Sequence, residues 1–298
     1  MPTLIMKVTL LFLAALITLF AAKRATAAMR HLLCVCALAG SLLLPVTALF
    51  PARVVAVRLP AITIAASQAV ARAESWSSSR VILGLWAFGA LVLILRLAVG
   101  HWRIARLVRS ATPIEPHALY MAEVGVPIVC GLLRPVVLMP RASSEWPVWQ
   151  FDAAVRHELT HVRRKDLQAN FIAQLACAAW WFHPLAWMLA RYLRDCQETA
   201  CDDAVLFSGL EPATYAQALL SVAQTVAQTP TPTLLPGCPM TTKLNLKTRI
   251  TRLLDHSIAR TTSRANLLRT AIGFAIVLAG VGVLSLQKSS AQAPPADK

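Results

Sequence analysis

Along this chain, apolar positions gather into long unbroken blocks rather than alternating. Crossing the hydrocarbon core as a helix takes about 20 mostly apolar residues. Four blocks come near that: 2–22, with Lys7 its only charge; 32–52, uncharged; 81–100, with Arg96 near one end; and 270–287, uncharged. These predict four transmembrane helices, Arg96 extending its stem toward the interface. A fifth stretch, 167–190, is as apolar but contains His183-Pro184. A residue before proline is pushed out of helical geometry, so two helices are expected there, about 167–182 and 184–200, folded back as a hairpin. Residues 126–140 read as strand-turn-strand around Gly131 and Pro135.

Composition adds the solvent. Hydrophobic residues make up 57% of the 298, charged residues 14%, and the mean hydropathy is +0.58. Soluble chains average about 25% charged residues, so an ordinary soluble domain and a disordered chain are both excluded, and a lipid bilayer becomes the first expected partner. All acidic residues except Glu74 and Asp297 lie between 101 and 267. The domains expected are three transmembrane helices in 1–100 with a loop at 53–80, a polar domain at 101–267, a fourth transmembrane helix in 268–287, and a short tail at 288–298.

Basic loops stay in the cytoplasm. Lys23, Arg24 and Arg30 follow the first block, Arg103, Arg106 and Arg109 follow the third, and Arg260, Arg264 and Arg269 precede the fourth. This places the N-terminus outside, the polar domain in the cytoplasm, and 53–80 and 288–298 outside, although Arg53, Arg58, Arg72 and Arg80 depart mildly from the rule. The rival reading makes the first block a cleaved signal peptide ending at Ala25-Thr26-Ala27; Lys23 and Arg24 oppose export of the chain downstream of them. The net charge of +15 is largely membrane-flanking, so anionic headgroups are its expected counterpart and no direct nucleic-acid binding is expected. Seven cysteines without a C-x-x-C read as free thiols in a reducing compartment.

One motif carries a mechanism: His157-Glu158-Leu159-Thr160-His161. Residues i and i+4 share a helix face, so the two imidazoles can offer nitrogens to one metal ion, and neutral imidazoles suit zinc. Glu158, beside them, is placed as general base for attack on a peptide carbonyl and then as proton donor to the leaving amine. By itself the pattern also fits a solvated helix with two histidines. A catalytic zinc site takes three protein ligands, and Glu198 downstream can be the third, with Asp202 one turn on supporting a ligand histidine through its far nitrogen, a solvated helix start being the alternative for both acids. His183 is read as a structural helix-break histidine, with a transition-state hydrogen-bond donor as the alternative.

These segments, "VPIVCGLLRPVVLMP", "AAVRHELTHVRRKDL" and "WWFHPLAWMLARYLRDCQETACDDAVL", together with the four-block layout, resemble the BlaR/MecR-type integral-membrane zinc metallopeptidases, the antibiotic sensor-transducers of bacteria. The resemblance implies an α-helical membrane protein of the bacterial inner membrane with a cytoplasmic, mostly helical α+β domain of gluzincin-like fold. It implies one zinc ion on His157, His161 and Glu198, Glu158 as general base, and Asp202 in the place of the acid that follows the family's third ligand. It further implies self-cleavage and loss of a winged-helix transcriptional repressor. The antibiotic-sensing members carry a penicillin-binding domain after the fourth span. Here "KSSAQAPPADK" stands in that place and has no S-x-x-K, so covalent sensing of β-lactams by this chain is not expected, and a separate sensor partner and a homodimer stay open.

Thr229 to Pro239 reads as a proline-rich loop and a place for self-cleavage or substrate access, a plain surface linker being the alternative. Residues 243–260 read as a basic amphipathic helix lying on the inner leaflet, contact with the repressor being the alternative. Two other functions fit the same chain: a non-catalytic membrane adaptor that keeps the fold, and a quality-control protease for membrane proteins. The intact Glu158 argues against the adaptor.

Overall fold

The computed structural model describes residues 2–22, 25–47, 75–114, 119–228, 243–255 and 260. Among the described residues, three helices are long and apolar enough to cross a membrane: α1 (Pro2–Ala21), α2 (Ala27–Thr47) and α3 (Ser75–Ser110). Large apolar side chains such as Ile82, Leu85, Phe88 and Leu95 stand exposed along α3, a surface no soluble protein leaves open at this extent. The second helix begins five residues ahead of the apolar block, so Arg30 and His31 lie in its first turns. The third runs on without a break through Arg103, Arg106 and Arg109. The block at 270–287, the segment Thr229–Pro239, the tail, and the loop 53–80 up to residue 74 fall outside the described residues.

The polar domain opens with a four-stranded sheet of β1 (Thr112–Ile114), β2 (Leu119–Ala122), β3 (Ile128–Cys130) and β4 (Val136–Pro140), in the order β1-β2-β4-β3. β3 and β4 pair antiparallel, and Val129 faces Val137. Their turn needs Gly131, whose φ is +90° and where a Cβ would strike the Arg134 carbonyl. Beyond the sheet, the described residues form a short 3-10 turn (Arg141–Glu145), α4 (Val148–Arg164), α5 (Asp166–Ala179), α6 (Pro184–Phe207), α7 (Pro212–Gln228) and α8 (Lys243–Leu254).

α4 is amphipathic on two sides. Val155 packs on Leu119, Val137 and Met139 of the sheet, while Ala153 packs with Val205 of α6, Tyr215 and Ala218 of α7, and Leu253 of α8. α5 and α6 form the expected hairpin. His183 is extended (φ −100°, ψ 108°) and Pro184 opens α6, because proline fits the first helical position, where no N–H partner is needed. The small residues Ala173, Ala176 and Cys177 of α5, and Ala186 and Ala190 of α6, join one core with Val8, Leu11, Phe12 and Ala15 of α1 and Leu33, Cys34, Ala37 and Leu38 of α2. Small side chains let helix axes approach closely where water supplies no driving force. The hairpin is thus packed among the apolar helices, and its tip lies level with the middle of α1, where Thr9 Oγ1 meets His183 Nε2 at 3.0 Å and Phe12 meets the ring edge-on.

The tip is also clamped to α3. Trp86 Nε1 donates to the Ala179 carbonyl at 2.8 Å and Trp181 Nε1 donates to the Trp86 carbonyl at 3.2 Å. Gly89 gives Trp181 its room: a Cβ there would lie 2.6 Å from Trp181 Nε1. Overpacking costs about 1–3 kcal/mol, or roughly 2–12 °C at about 2–4 °C per kcal/mol. Gly89→Leu should therefore lower the thermal midpoint of the purified full chain by several degrees, whereas Gly84→Leu, where a Cβ meets nothing within 4 Å, should not. Equal midpoints for the two would show that α3 is not anchored at the tip.

Candidate metal centre

α4 presents His157 and His161 one turn apart, their ring centroids 4.9 Å from each other and the planes at 88°. α6 returns from the hairpin and brings Glu198 against both. Glu198 Oε2 lies 3.5 Å from His157 Nε2 and Oε1 lies 3.7 Å from His161 Nε2. Donors held tetrahedrally around zinc at about 2.0–2.1 Å are themselves about 3.3 Å apart, so small rotations suffice to seat an ion.

The outer nitrogens decide which ring atom faces the ion. His157 Nδ1 is 2.9 Å from Tyr215 Oη, and Tyr215 donates its own proton to Asp202 Oδ1 at 2.8 Å. Burial and then Asp202 raise the Tyr215 phenol well above its ordinary pKa, so it keeps that proton and can only accept from His157. His157 is then an Nδ1–H tautomer with a free lone pair on Nε2. His161 Nδ1 is 2.8 Å from Asp166 Oδ2, which selects the same tautomer. In both rings Nε2 is therefore the atom turned toward Glu198, and outer partners of this kind raise ligand basicity. Burial favours a neutral Glu198, but Arg249 beside it, then His157 and His161, hold the carboxyl well below the usual range. The residues present fit a divalent ion of borderline softness.

A second group, His161, Asp166 and Cys201, also lies close together. Its histidine atom is Nδ1, already engaged with Asp166, and burial pushes the Cys201 thiol up to about 12. Its sulfur stays protonated and donates to Asp166 Oδ2 at 3.6 Å. The first group is the better ligand set. Glu158 follows His157 on α4, is half-buried, and makes no hydrogen bond or ion pair with any described residue.

Residues 41–253, more than two thirds of the chain, match the family described as BlaR1 peptidase M56. The chain belongs to that family. Over 80 residues it is also 35% identical to the regulatory protein BlaR1 of Bacillus licheniformis, a stretch covering 27% of this chain and 13% of that protein. The chain thus matches a small part of the length of that curated relative. An M56 metallopeptidase domain joined to apolar helices of membrane-spanning length is what these findings establish.

Within this M56 domain, His183 keeps its helix-break place, while Asp202 and the basic segment make contacts the sequence did not indicate. His183 sits at the hairpin tip, fifteen residues before Glu198 on one helix; at about 1.5 Å per residue that is roughly 22 Å away, too far to donate to a transition state at the metal group. It occupies the N-cap position of α6 without a side-chain cap bond and meets Thr9 Oγ1 at 3.0 Å. Asp202 is 3.6 Å from His157 Nδ1 and supports it through Tyr215 rather than directly. α8, within the segment expected on the inner leaflet, docks one face on the domain: Leu253 is buried, Arg249 grips Asp202 with Nε at 2.9 Å and Nη2 at 2.7 Å, its Nη1 reaches Glu198 at 2.9 Å, and Arg252 binds Asp203 at 2.8 Å.

Asp166, Tyr215 and Arg249 are the M56 site residues that sequence reasoning missed. Asp166 comes directly after Lys165, which ends α4 in the left-handed conformation at φ 59°. A continuing helix would turn residue 166 away from His161; the left-handed break folds it back. An acid five residues past the second histidine is the available signal, and it is informative only once that break is known.

Proposed function

We propose that this chain is a membrane-anchored zinc endopeptidase that transmits a signal by limited proteolysis, cleaving itself or inactivating a winged-helix repressor. The observation that carries the reading is the convergence of His157 Nε2, His161 Nε2 and Glu198, with Glu158 unengaged beside them. His157, His161 and Glu198 are the zinc ligands in this reading. Zinc, when bound, supplies Lewis acidity and brings the pKa of water toward about 7. Glu158 accepts the proton released as water attacks the peptide carbonyl and returns it to the departing nitrogen. Tyr215 with Asp202, and Asp166, hold the two imidazoles in the tautomer and orientation that ligation needs. Arg249 balances the charge of Glu198 and Asp202.

The site adjoins the end of α2 that carries Arg30, where His31 Nε2 is 3.4 Å from Asp166, which supports a cytoplasmic peptidase domain in a bacterial inner membrane. In this topology the N-terminus is outside and the α5–α6 hairpin is re-entrant. Its backbone groups are satisfied inside helices packed against protein, the condition for non-spanning structure at that depth. The similarity to a regulatory protein supports a signalling substrate over general quality control.

Zinc analysis tests the centre. The purified full chain should hold about one ion, and Glu198→Gln should lose more than the roughly 10- to 100-fold in affinity that removal of an outer partner costs. Burial opposes charge on His161, but its hydrogen bond to Asp166, with Cys201 and Glu198 near, holds its pKa well above the ordinary value. A proton then competes with the ion for His161 below that raised pKa. Affinity should rise with pH up to it and fall about tenfold per unit beneath it. Zinc bound equally by wild type and Glu198→Gln would remove the metallopeptidase reading in favour of an adaptor.

A further inference from the structure

Asp166 is 1% exposed, and its two carboxylate oxygens have different surroundings. Oδ2 takes the His161 Nδ1 contact at 2.8 Å, with Arg164 Nε at 3.4 Å. Oδ1 is buried and accepts no hydrogen bond from any described residue. The side chain facing it is His31, whose Nε2 is 3.4 Å away. His31 lies in the second turn of α2, one of the three helices of membrane-spanning length. Gln197, the neighbour of Glu198, closes the group: its Nε2 donates to the Asp166 carbonyl at 3.3 Å and lies 3.3 Å from His31 Nε2.

We propose that His31 is a positioning residue for the metal centre, holding Asp166 through Oδ1 so that Oδ2 stays on His161, and thereby making α2 part of the site's framework. This rests on the metallopeptidase reading above. A buried carboxylate oxygen without a partner costs about 1–3 kcal/mol, and a rotation that satisfied Oδ1 elsewhere would draw Oδ2 off His161. In its Nε2–H tautomer His31 directs that proton at Oδ1 across 3.4 Å, a charge–dipole contact rather than a hydrogen bond, which leaves the Gln197 approach a contact only and reduces the drive for that rotation. α2 is fastened to the helix of Glu198 as well, through Leu33, Cys34, Ala37 and Leu38 packed with Leu189 and Leu193, and through Arg30 Nη1 donating to Tyr192 Oη at 3.1 Å. A displacement of α2 in the bilayer is therefore felt at His161 through Asp166 and at Glu198 through α6. The 3.4 Å separation leaves this contact sensitive to sub-ångström movement, since hydrogen bonds weaken steeply past their usual range.

The test uses the full chain in detergent with zinc alone as the probe. Wild type, His31→Ala, His31→Phe and His31→Gln are titrated against a chromophoric chelator, and each is loaded with cobalt for its visible spectrum. His31→Ala and His31→Phe should bind zinc about tenfold more weakly, at the low end of what outer partners contribute, with an altered cobalt spectrum. His31→Gln, whose amide N–H can reach the same oxygen, should restore both to near wild type. Thermal unfolding of the metal-free chains separates positioning from packing. Wild-type affinity and spectrum in both His31→Ala and His31→Phe overturns the inference, as does a loss in all three variants that tracks lowered metal-free stability. These results leave the centre itself standing if wild type binds zinc and Glu198→Gln does not. A wild type that binds no zinc brings down both readings.

Discussion

Glu158→Ala should lower peptide cleavage by about 10²- to 10⁴-fold, the usual contribution of a positioned general acid-base, while the protein keeps its zinc and its thermal stability. The separation of these effects comes from where Glu158 sits. It neighbours His157 on α4, yet it is outside the group whose donor atoms converge, and it has no hydrogen bond or ion pair with any described residue. Removing it strands no buried partner, so neither folding nor ligation should suffer. The measurement is the rate of appearance of self-cleavage fragments, or of repressor loss on co-expression, beside zinc per chain and the unfolding midpoint. Cleavage within tenfold of wild type would eliminate Glu158 as the base. Loss of zinc together with activity would instead make it a structural residue of the centre.

The largest effect on stability is expected from Arg249→Ala. Arg249 is 10% exposed and faces Asp202, 4% exposed, and Glu198, 22% exposed. Truncation leaves two mostly buried carboxylates without their cation. Removing one partner of a buried ion pair costs about 3–5 kcal/mol, which is roughly 6–20 °C in the unfolding midpoint at about 2–4 °C per kcal/mol. The loss should be larger for the metal-free chain than for the zinc-saturated one, because a divalent ion compensates Glu198 by itself. Arg249→Lys should recover part of the loss, since a point charge remains but the two-pronged grip on Asp202 does not. Differential scanning of all three proteins with and without zinc reads this out. A midpoint within about 2 °C of wild type for Arg249→Ala in both states, less than 1 kcal/mol on the same scale, would mean that α8 does not brace the site.

The two histidines were legible because the motif and the helix period agree within five residues. The hairpin was legible for a similar reason: His183-Pro184 interrupts an apolar run at a point where crossing the membrane would have separated His161 from Glu198. Asp202 was found one step short, because a phenol from a different helix stands between it and His157. For the basic helix at 243–254 the sequence left the partner open, since its amphipathic pattern fits an anionic membrane and an acidic protein face equally well. Periodicity reports that a face is basic, and says nothing of what lies opposite.

What the sequence by itself determined is local: helices of membrane-spanning length, the turn at Gly131, the break at His183-Pro184, and the facing pair His157 and His161. Each depends on residues within about a turn of one another or on unbroken apolar length. Tertiary structure decided which side chains hold that pair in place. Tyr215 comes to His157 across 58 residues, Arg249 to Asp202 across 47, and Asp166 from beyond a left-handed Lys165. His31 arrives from an apolar helix whose own pattern points only toward lipid. These contacts result from how the hairpin packs among α1, α2 and α4. Packing sums many weak, non-directional contacts over the whole core, so no short stretch of sequence encodes its result.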